Sequence, residues 1–375
     1  MPTCPANVRE TKIAIGKVPQ TDLVTKNTDP QLWSLLKTNT ALMQTDLRTE
    51  TDALDIGKGD EFAVNVYKTS SSTSVALEKY VTTEFMAWLF AFGLGNSTSA
   101  AAGTGTAYTS TPQDPTTDCI NLPPFTYVEQ IRTGANAVVD RAAVGMVVND
   151  FTLTMESGPG RANCRVAANF IGTGSITNPS GSVLPTPTAE HSLNASAATT
   201  LTINGIDYLL GTGVGRFNNL EYRWNNNVRT DSGYYAGSGL QNGFGIRGRM
   251  EFATRECTLT FVARAIAGSV EFNNLLGLVE GATTITIAGA VIGAGPQTNG
   301  MTISIPRSII SAETNGETDG VVTVSCNVTA LMPVAGPPLL TLSATTPLNN
   351  VFGQLLTVEE EEHAGMHFDD MSKAA

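Results

Sequence analysis

Apolar side chains recur at every second residue in one segment after another, and this alternation constrains the fold more than any other feature of the chain. The clearest example covers residues 147–155 and resumes at 164–170, with a Ser-Gly-Pro-Gly turn at 157–160 between the two runs. Successive side chains of a β-strand point to opposite faces of a sheet. The two runs therefore predict a β-hairpin that buries one face, with Val147 and Phe151 on the same side.

The same period of two predicts strands along the whole chain, at residues 12–15, 61–66, 220–224, 257–263, 301–305 and 322–328. Charged residues make up only 15% of the chain, well below the usual fraction of about a quarter in soluble domains. Helix-favouring Glu, Lys and Leu are scarce and β-branched residues are common. We therefore predict a mainly β protein.

Helical signals are few. A short helix is predicted across 85–92 and closed by Gly93 or Gly95. Its apolar residues cover most of the helix surface, so we expect it to be buried against a sheet or at a subunit contact. Weaker patterns predict two further helices, at 30–37 and at 270–279.

Long polar segments interrupt the strand patterns. Loop insertions are predicted near 96–118, 172–200 and 225–248, which are rich in small polar residues. Residues 357–375 form an acidic segment with little to bury, and we expect a flexible C-terminal tail there. Residues 1–356 are then one β domain. No repeat of fixed period is visible, although a duplication too diverged to show in the sequence is left open.

The chain is acidic, with a net charge of −12 at pH 7. Tight binding to a nucleic-acid backbone requires clusters of Lys and Arg, and the sequence contains none. An acidic protein can still operate beside DNA when its task is to avoid adhering to it. The alternative interpretation is that the negative charge serves only to keep the protein soluble.

The five cysteines are scattered without a Cys-x-x-Cys pair, which argues against a disulfide framework and against a zinc ribbon. Cys164, Cys257 and Cys326 lie on the apolar side of alternating stretches and are predicted to be core residues. Residues 1–20 lack the pattern of a signal peptide, and the longest apolar run, 85–94, is about half a membrane span. We expect synthesis and assembly in a cytoplasm, with no membrane partner.

The histidines do not suggest a catalytic site. His191 lies in a polar loop, where nothing supports a Ser-His-Asp triad. His363 and His367 have an i, i+4 spacing beside four glutamates, but solvation of the acidic tail is favoured over a metal site. Residues 243–248 match a Gly-x-Gly-x-x-Gly string; an extended segment rather than a helix follows, so we reject a dinucleotide site.

Two further candidates concern carbohydrate chemistry. Asp150 and Glu156 lie on the polar side of a strand, where a solvated face is favoured over a glycosidase carboxylate pair. Tyr234 and Tyr235, in an Asn/Gly-rich loop, are interpreted as loop packing rather than as a platform for a sugar. We therefore predict no catalytic, cofactor-binding or metal-binding residue, and no cofactor.

A series of segments in a fixed order carries a resemblance to a known family. They are a strand at 11–18, an apolar helix ending in Leu-Gly at 84–95, a Gly-x-x-Val-Asn-x-Phe-Thr-Leu stretch at 145–153 with a hairpin partner at 167–174, and strands at 301–306 and 319–328. In this order they resemble the tail tube proteins of long-tailed bacteriophages.

The resemblance implies a β-sandwich or barrel-like fold with one or two short flanking helices and long loops, and no catalytic residues. It implies a virion protein, made in the cytoplasm of the bacterial host, whose copies form rings of six that stack into a tube. DNA passes through the lumen of such a tube without specific binding. The other implied partners are the tape measure, terminator, and baseplate or tip proteins. We expect part of the negative charge to face the lumen and repel phosphates.

Two alternatives from other classes remain open. A capsid decoration protein or a pilus-like subunit would share the composition but would not form an open tube. A glycan-binding β-sandwich module or glycosidase would bind carbohydrate and, if an enzyme, would depend on a pair of carboxylates.

Overall fold

A computed structural model describes residues 11–347 apart from 37, 40, 52–65, 103–104, 114–120, 134–135, 158–163, 178–183, 210–216, 238, 242, 267, 269, 293–297, 319 and 334–337. Within these residues the chain forms mainly β-strands, as the alternation predicted, and two α-helices. The helices are α1 (Thr83–Leu94) and α2 (Val270–Gly277).

The strands fall into two sets in chain order. The first set is β1 (Thr11–Gly16), β2 (Leu32–Ser34), β3 (Gln44–Thr51), β4 (Val66–Tyr80), β5 (Gly95–Ala102), β6 (Gly105–Pro112), β7 (Phe125–Thr133), β8 (Asn136–Glu156), β9 (Arg165–Gly172) and β10 (Ser175–Thr177). The second set is β11 (Ala198–Ile203), β12 (Ile206–Asp207), β13 (Phe217–Asn225), β14 (Leu240–Gln241), β15 (Phe244–Gly245), β16 (Glu256–Arg264), β17 (Gly281–Val291), β18 (Thr298–Thr318), β19 (Val321–Ala330) and β20 (Thr341–Thr346).

The predicted hairpin is confirmed, with one correction. Strands β8 and β9 pair in antiparallel fashion, but the register shifts between Val148 and Asp150. Because a bulge moves the following side chains to the opposite face, Val148 and not Val147 joins Phe151 in the main core. Simple alternation across the bulge was therefore wrong for Val147.

Two of the three predicted helices are confirmed, at α1 and α2. All twelve residues of α1 are buried, and Gly95 ends the helix in the left-handed conformation, with φ 92°. The helix predicted at 30–37 is wrong: a 3-10 turn at Asp29–Gln31 leads into strand β2, which pairs with β1. Leu32 and Trp33 are buried there, so tertiary pairing overrides a weak local signal.

The loop predicted near 96–118 is wrong over most of its length, because β5 and β6 form a hairpin and β6 continues the sheet by pairing with β20. Small side chains permit this close approach: a Cβ atom at Gly105 would lie 2.1 Å from the carbonyl oxygen of Thr346. The loop near 172–200 contains β10, and the loop near 225–248 contains the short strands β14 and β15. Most of the predicted strand at 61–66, and the tail at 357–375, lie outside the described residues.

Eight strands form the main sheet, in the order β3-β4-β9-β8-β13-β16-β19-β18, with every neighbouring pair antiparallel. A second layer consists of β2-β1-β7-β8-β10 and of β12-β11-β17-β18-β20-β6-β5. Strands β8 and β18 belong to both layers. The N-terminal half of each strand lies in the second layer, and its C-terminal half lies in the main sheet. Helix α1 is packed in the interior against β5, β6, β8 and β20.

The two sets of strands repeat one pattern of pairing, which the sequence left open and did not reveal. The correspondences are β1–β2 with β11–β12, β1–β7 with β11–β17, β7–β8 with β17–β18, β8–β10 with β18–β20, β8–β9 with β18–β19, β4–β9 with β16–β19, and β3–β4 with β13–β16. Strands β8 and β18 both have 21 residues. We call β1–β10 with α1 the first repeat and β11–β20 with α2 the second repeat; the β5–β6 and β14–β15 hairpins have no counterparts.

Strand β8 crosses between the two layers next to Gly145. This glycine has a φ of 67°, a conformation that other L-residues rarely adopt. A Cβ atom at this position would lie 2.5 Å from the carbonyl oxygen of Leu23. The Gly of the 145–153 stretch is therefore required both by the backbone conformation and by the close contact.

Candidate assembly surfaces

The main sheet ends at two strands that each have one partner within the described residues. Strand β3 pairs with β4, and the second half of β18 pairs with β19. All eight residues of β3 are exposed, as are residues 311–317 of β18 except for the half-buried Glu313. An open strand edge can accept a strand from another molecule, so these two edges are candidate subunit contacts.

Helix α2 presents an apolar surface to solvent. Phe272, Leu276 and Leu278 are 45%, 68% and 65% exposed. The helix is anchored on its other side by the buried Glu271, which accepts a hydrogen bond from the Tyr208 hydroxyl at 2.6 Å. A cluster of exposed large apolar side chains on a short helix and directly after it is typical of a surface that a partner covers.

One face of the main sheet packs on the core. The other face is mainly polar, although Val147 and Ile171 at one end of the β8–β9 pairing are covered by Val228 and Met250. Exposed Thr, Asn and Ser side chains, such as Thr258, Asn327 and Thr329, alternate with charged ones. Seven carboxylates and four guanidinium groups lie on this free face: Asp46, Glu50, Glu78, Asp150, Glu156, Glu221 and Glu256, and Arg48, Arg165, Arg223 and Arg264. The excess of three carboxylates gives the free face a negative charge.

The β3–β4 hairpin extends beyond the main sheet. Leu47, Val66 and Tyr67 are 53%, 63% and 54% exposed on it, although the surrounding residues are polar. The hairpin connection at 52–65 lies outside the described residues. These apolar side chains are a further candidate contact with other copies.

His191 is placed beside a carboxylate, but the arrangement is not that of a nucleophile site. Its Nδ1 lies 2.7 Å from Oε1 of the buried Glu84, and its backbone N–H donates to Oε2 at 2.9 Å. The hydroxyl of Thr346 donates to the same carboxylate at 3.1 Å. The hydroxyl therefore helps to satisfy a buried acid at the start of α1 instead of being activated by the histidine.

A buried ion pair lies beside Thr82, the residue that precedes α1. Lys79 Nζ and Glu190 Oε2 are in contact, and both side chains are fully buried. Glu190 also accepts the hydroxyl of Thr82 and the backbone N–H of Leu36. Such a pair requires nearly complete hydrogen bonding to offset its desolvation. No sequence pattern indicated it, because its partners come from distant segments.

Asp150 and Glu156 are not brought together. Asp150 is nearly buried and accepts hydrogen bonds from the amides of Asn149 and Asn169, each at 2.8 Å. The two carboxylates are six residues apart on one extended strand, about 20 Å, whereas a glycosidase pair is separated by about 5–9.5 Å.

Residues 243–248 form a strand and a turn and are not followed by a helix. Arg247 is buried, donates to the carbonyl oxygen of Gly172 at 2.9 Å, and stacks over Tyr234. Burial lowers the pKa of Arg247. The Tyr234 hydroxyl donates to the Ser71 carbonyl oxygen at 3.0 Å, and the Tyr235 hydroxyl donates to Glu251. Both tyrosines thus hold the 225–248 loop in place, as the sequence suggested.

The predicted core cysteines are confirmed for Cys164 and Cys326, whereas Cys257 is half-buried. Burial raises the pKa of the Cys164 and Cys257 thiols to about 12. Cys4, Cys119, His363 and His367 lie outside the described residues. Among the residues that are described, no three His, Cys, Asp or Glu side chains are grouped as metal ligands, and no helix has the length and apolarity to cross a membrane.

Comparison with known proteins gives the family of the chain. No curated protein matches the chain. The family model described as phage tail tube protein matches residues 11–346, the span from the first residue of β1 to the last residue of β20. The chain therefore belongs to the phage tail tube protein family, and it is a structural subunit of the virion tail.

Proposed function

We propose that copies of this chain join edge to edge through the main sheet into a closed ring, and that rings stack into the conduit for DNA delivery. The observation that carries this proposal is the main sheet itself, with its two open ends and one free polar face. Joining the last strand of one main sheet to the first strand of the next turns separate main sheets into one barrel wall, which closes both open edges of each main sheet.

The free face lines the channel in this arrangement. The second layer and α1 lie on the opposite face of the main sheet. A closed barrel leaves room for these elements only on its outside. The wall of the channel is then built from alternating Thr, Ser, Asn and charged side chains. Its excess of carboxylates repels phosphates, so that DNA slides along the wall instead of binding to it.

Stacking of rings involves the parts of each copy that extend beyond the wall. The β3–β4 hairpin, with exposed Val66 and Tyr67, is the best placed of these to contact the next ring. The acidic tail at 357–375 and the one-domain organisation of 1–356 remain predictions. We further propose that tape measure, terminator and baseplate or tip proteins bind the ends and lumen of the tube, and that the chain is made in the cytoplasm of the bacterial host.

Electron microscopy tests this function directly. The purified protein is examined in negative stain at several concentrations, and we expect rings and hollow tubes that become more abundant as the concentration rises. A featureless monomer at every concentration would contradict the proposal. Compact oligomers without a central channel would favour a decoration protein instead.

A further inference from the structure

Within the main sheet, the two repeats of the chain are joined by one strand pairing. The second half of β8 pairs with β13, from Asp150↔Asn225 to Glu156↔Asn219. Phe151 faces Trp224 and Leu153 faces Tyr222 across this joint, and all four side chains are fully or almost fully buried. The joint therefore shows how, in the main sheet, the edge strand of one repeat (β8) pairs with the edge strand of the next repeat (β13).

The counterpart of this joint can be located residue by residue. Strands β8 and β18 carry the same bulge, between Val148 and Asp150 and between Ile310 and Ala312. Thr314, two residues beyond the bulge in β18, is thus the counterpart of Thr152. On the other side, the pairing of Gln44 with Ser74 in β3–β4 matches that of Arg223 with Thr258 in β13–β16.

The ends of the described sheet support that alignment. The isolated bridge Thr38↔Lys79 occupies the position of Phe217↔Ala263 in the second repeat. Ala41 and Met43 are buried as Leu220 and Tyr222 are. The residues just before β3 therefore run alongside β4 in the same way as β13 runs alongside β16.

We propose that each chain supplies two successive positions of the ring, and that the next copy docks its β3 on the second half of β18 in the register of the β8–β13 joint. This register places Gln44 of the neighbouring copy opposite Thr314, as Arg223 is opposite Thr152. The inference rests on the proposed ring and adds its partner, a second copy, together with the surface and register of the contact. The head-to-tail contact uses two different surfaces, as closed rings require.

The two helices give a separate argument for the same docking partner, a second copy of the chain. Helices α1 and α2 both have a buried Glu followed by Phe near their start, Glu84-Phe85 and Glu271-Phe272. Helix α1 contacts β18 and β20 of the second repeat. The strands that occupy those positions next to α2 would be β8 and β10 of the next copy. The apolar surface of α2 is therefore exposed because its counterpart belongs to another molecule.

The width of the wall gives the number of chains. Eight strands per chain, spaced at about 4.8 Å and tilted by about 40°, make a barrel of 24 strands from three chains, roughly 48 Å across between backbones. Subtracting about 5 Å of side chain on each side leaves roughly 38 Å, wide enough for a hydrated DNA duplex. Two chains leave only about 22 Å by the same geometry, which gives a duplex no room for water at the wall. Three chains are thus the smallest ring that passes DNA freely, and they fill the six positions implied by the family resemblance.

The joint between copies is more polar than the joint inside the chain. Glu313, Asn315 and Glu317 of β18 occupy the positions of Phe151, Leu153 and Met155. Charged side chains on an open edge discourage indiscriminate pairing of strands. The free chain is thereby kept soluble until a copy in the correct register docks.

Disulfide trapping in assembled tubes tests the register. Gln44→Cys combined with Thr314→Cys should link neighbouring copies on mild oxidation, giving a ladder of covalent species that ends at three chains. Opposed residues in an antiparallel ladder have Cα atoms about 4.5–5.5 Å apart, within disulfide reach. Gln44→Cys with Ala312→Cys is displaced diagonally to about 7–8 Å and should link several-fold less.

A matched internal pair serves as the positive control. Thr152→Cys with Arg223→Cys should close within one chain and leave its mass unchanged, and the unsubstituted chain reports any background from the native thiols. If tubes form and the internal pair closes while the Gln44→Cys, Thr314→Cys variant fails to link, the docking register is wrong but the tube function stands. If neither rings nor tubes form, both proposals fail. A ladder that continues to six chains would overturn the count of three.

Discussion

Helices α1 and α2 occupy equivalent places in the two repeats, yet one is buried and the other is exposed. Phe85 and Leu89 of α1 are fully buried, whereas Phe272 and Leu276 of α2 are 45% and 68% exposed. The helices start alike, with a buried Glu before the Phe. The difference lies in what covers them, because the second repeat lies over α1 within the same molecule.

On the proposed assembly, the exposure of α2 is a property of the unassembled chain. Helix α1 is apolar nearly all round, as suits a helix that is covered on every side. Helix α2 includes Asn273 and Asn274 and is only eight residues long, so it tolerates water until a copy docks. In the proposed ring, the same position in the fold would serve folding in one repeat and assembly in the other.

Replacing Leu276 with Asp should abolish tube formation while leaving the chain folded. The side chain is exposed in the single chain, but the proposed contact buries it, and an unpaired carboxylate in an apolar contact is strongly unfavourable. Sedimentation and negative-stain images measure assembly, and circular dichroism checks the fold. Leu276→Met keeps the apolar contact and should still assemble; normal tubes from Leu276→Asp would refute the role of α2.

Truncating the equivalent leucines should separate folding from assembly. Leu89→Ala creates a cavity in the core and should cost about 2–5 kcal/mol of unfolding free energy. Leu276→Ala should change the stability of the unassembled chain by no more than about 0.5 kcal/mol. Denaturant titrations of freshly purified, unassembled protein measure both. Equal losses for the two variants would show that the helices do not differ as described.

Two glycines with a positive φ, one in each repeat, differ in their surroundings, and mutation can expose the difference. Gly145 combines its conformation with a close contact, so Gly145→Ala should cost about 2 kcal/mol or more. Gly237 has nothing within 4 Å of an added Cβ atom. Gly237→Ala should therefore cost only about 1 kcal/mol. Thermal unfolding of the two variants compares them, and a larger loss for Gly237→Ala would contradict the steric argument.

The smallest expected effect concerns the ion pair that follows α2. Arg307 donates to both oxygens of Glu280, at 3.0 and 2.7 Å, and this holds the pKa of the Glu280 carboxyl below its usual range. Such a group stabilises the folded chain above its unfolded pKa, and the contribution is lost as pH falls through the folded pKa. Glu280→Gln should slightly lower the urea midpoint at about pH 7 and leave it unchanged at about pH 2. A difference that persists under the acidic condition would rule out this origin.

Much of the fold follows from sequence, because alternation and helix periodicity are local. Strand patterns such as Leu220-Tyr222-Trp224, and the apolar helix that became α1, required no tertiary information. The bulge at Val148 and the hairpin at β5–β6 were missed, since a bulge leaves no compositional mark and small residues such as Gly105 look like loop. The candidate assembly surfaces could not be predicted from the sequence either. They depend on which edges stay open, and the repeats share a pairing pattern without a visible repeat in sequence.

Electron cryomicroscopy of the assembled tube tests the central claim most directly. We predict rings of three chains, with exact threefold and only approximate sixfold symmetry, around a wall of 24 strands in which β18 pairs with β3 of the next copy. The approximate sixfold relation should superpose the first repeat on the second. A ring of six chains with exact sixfold symmetry, or a wall in which β3 and β18 remain unpaired, would contradict this assembly.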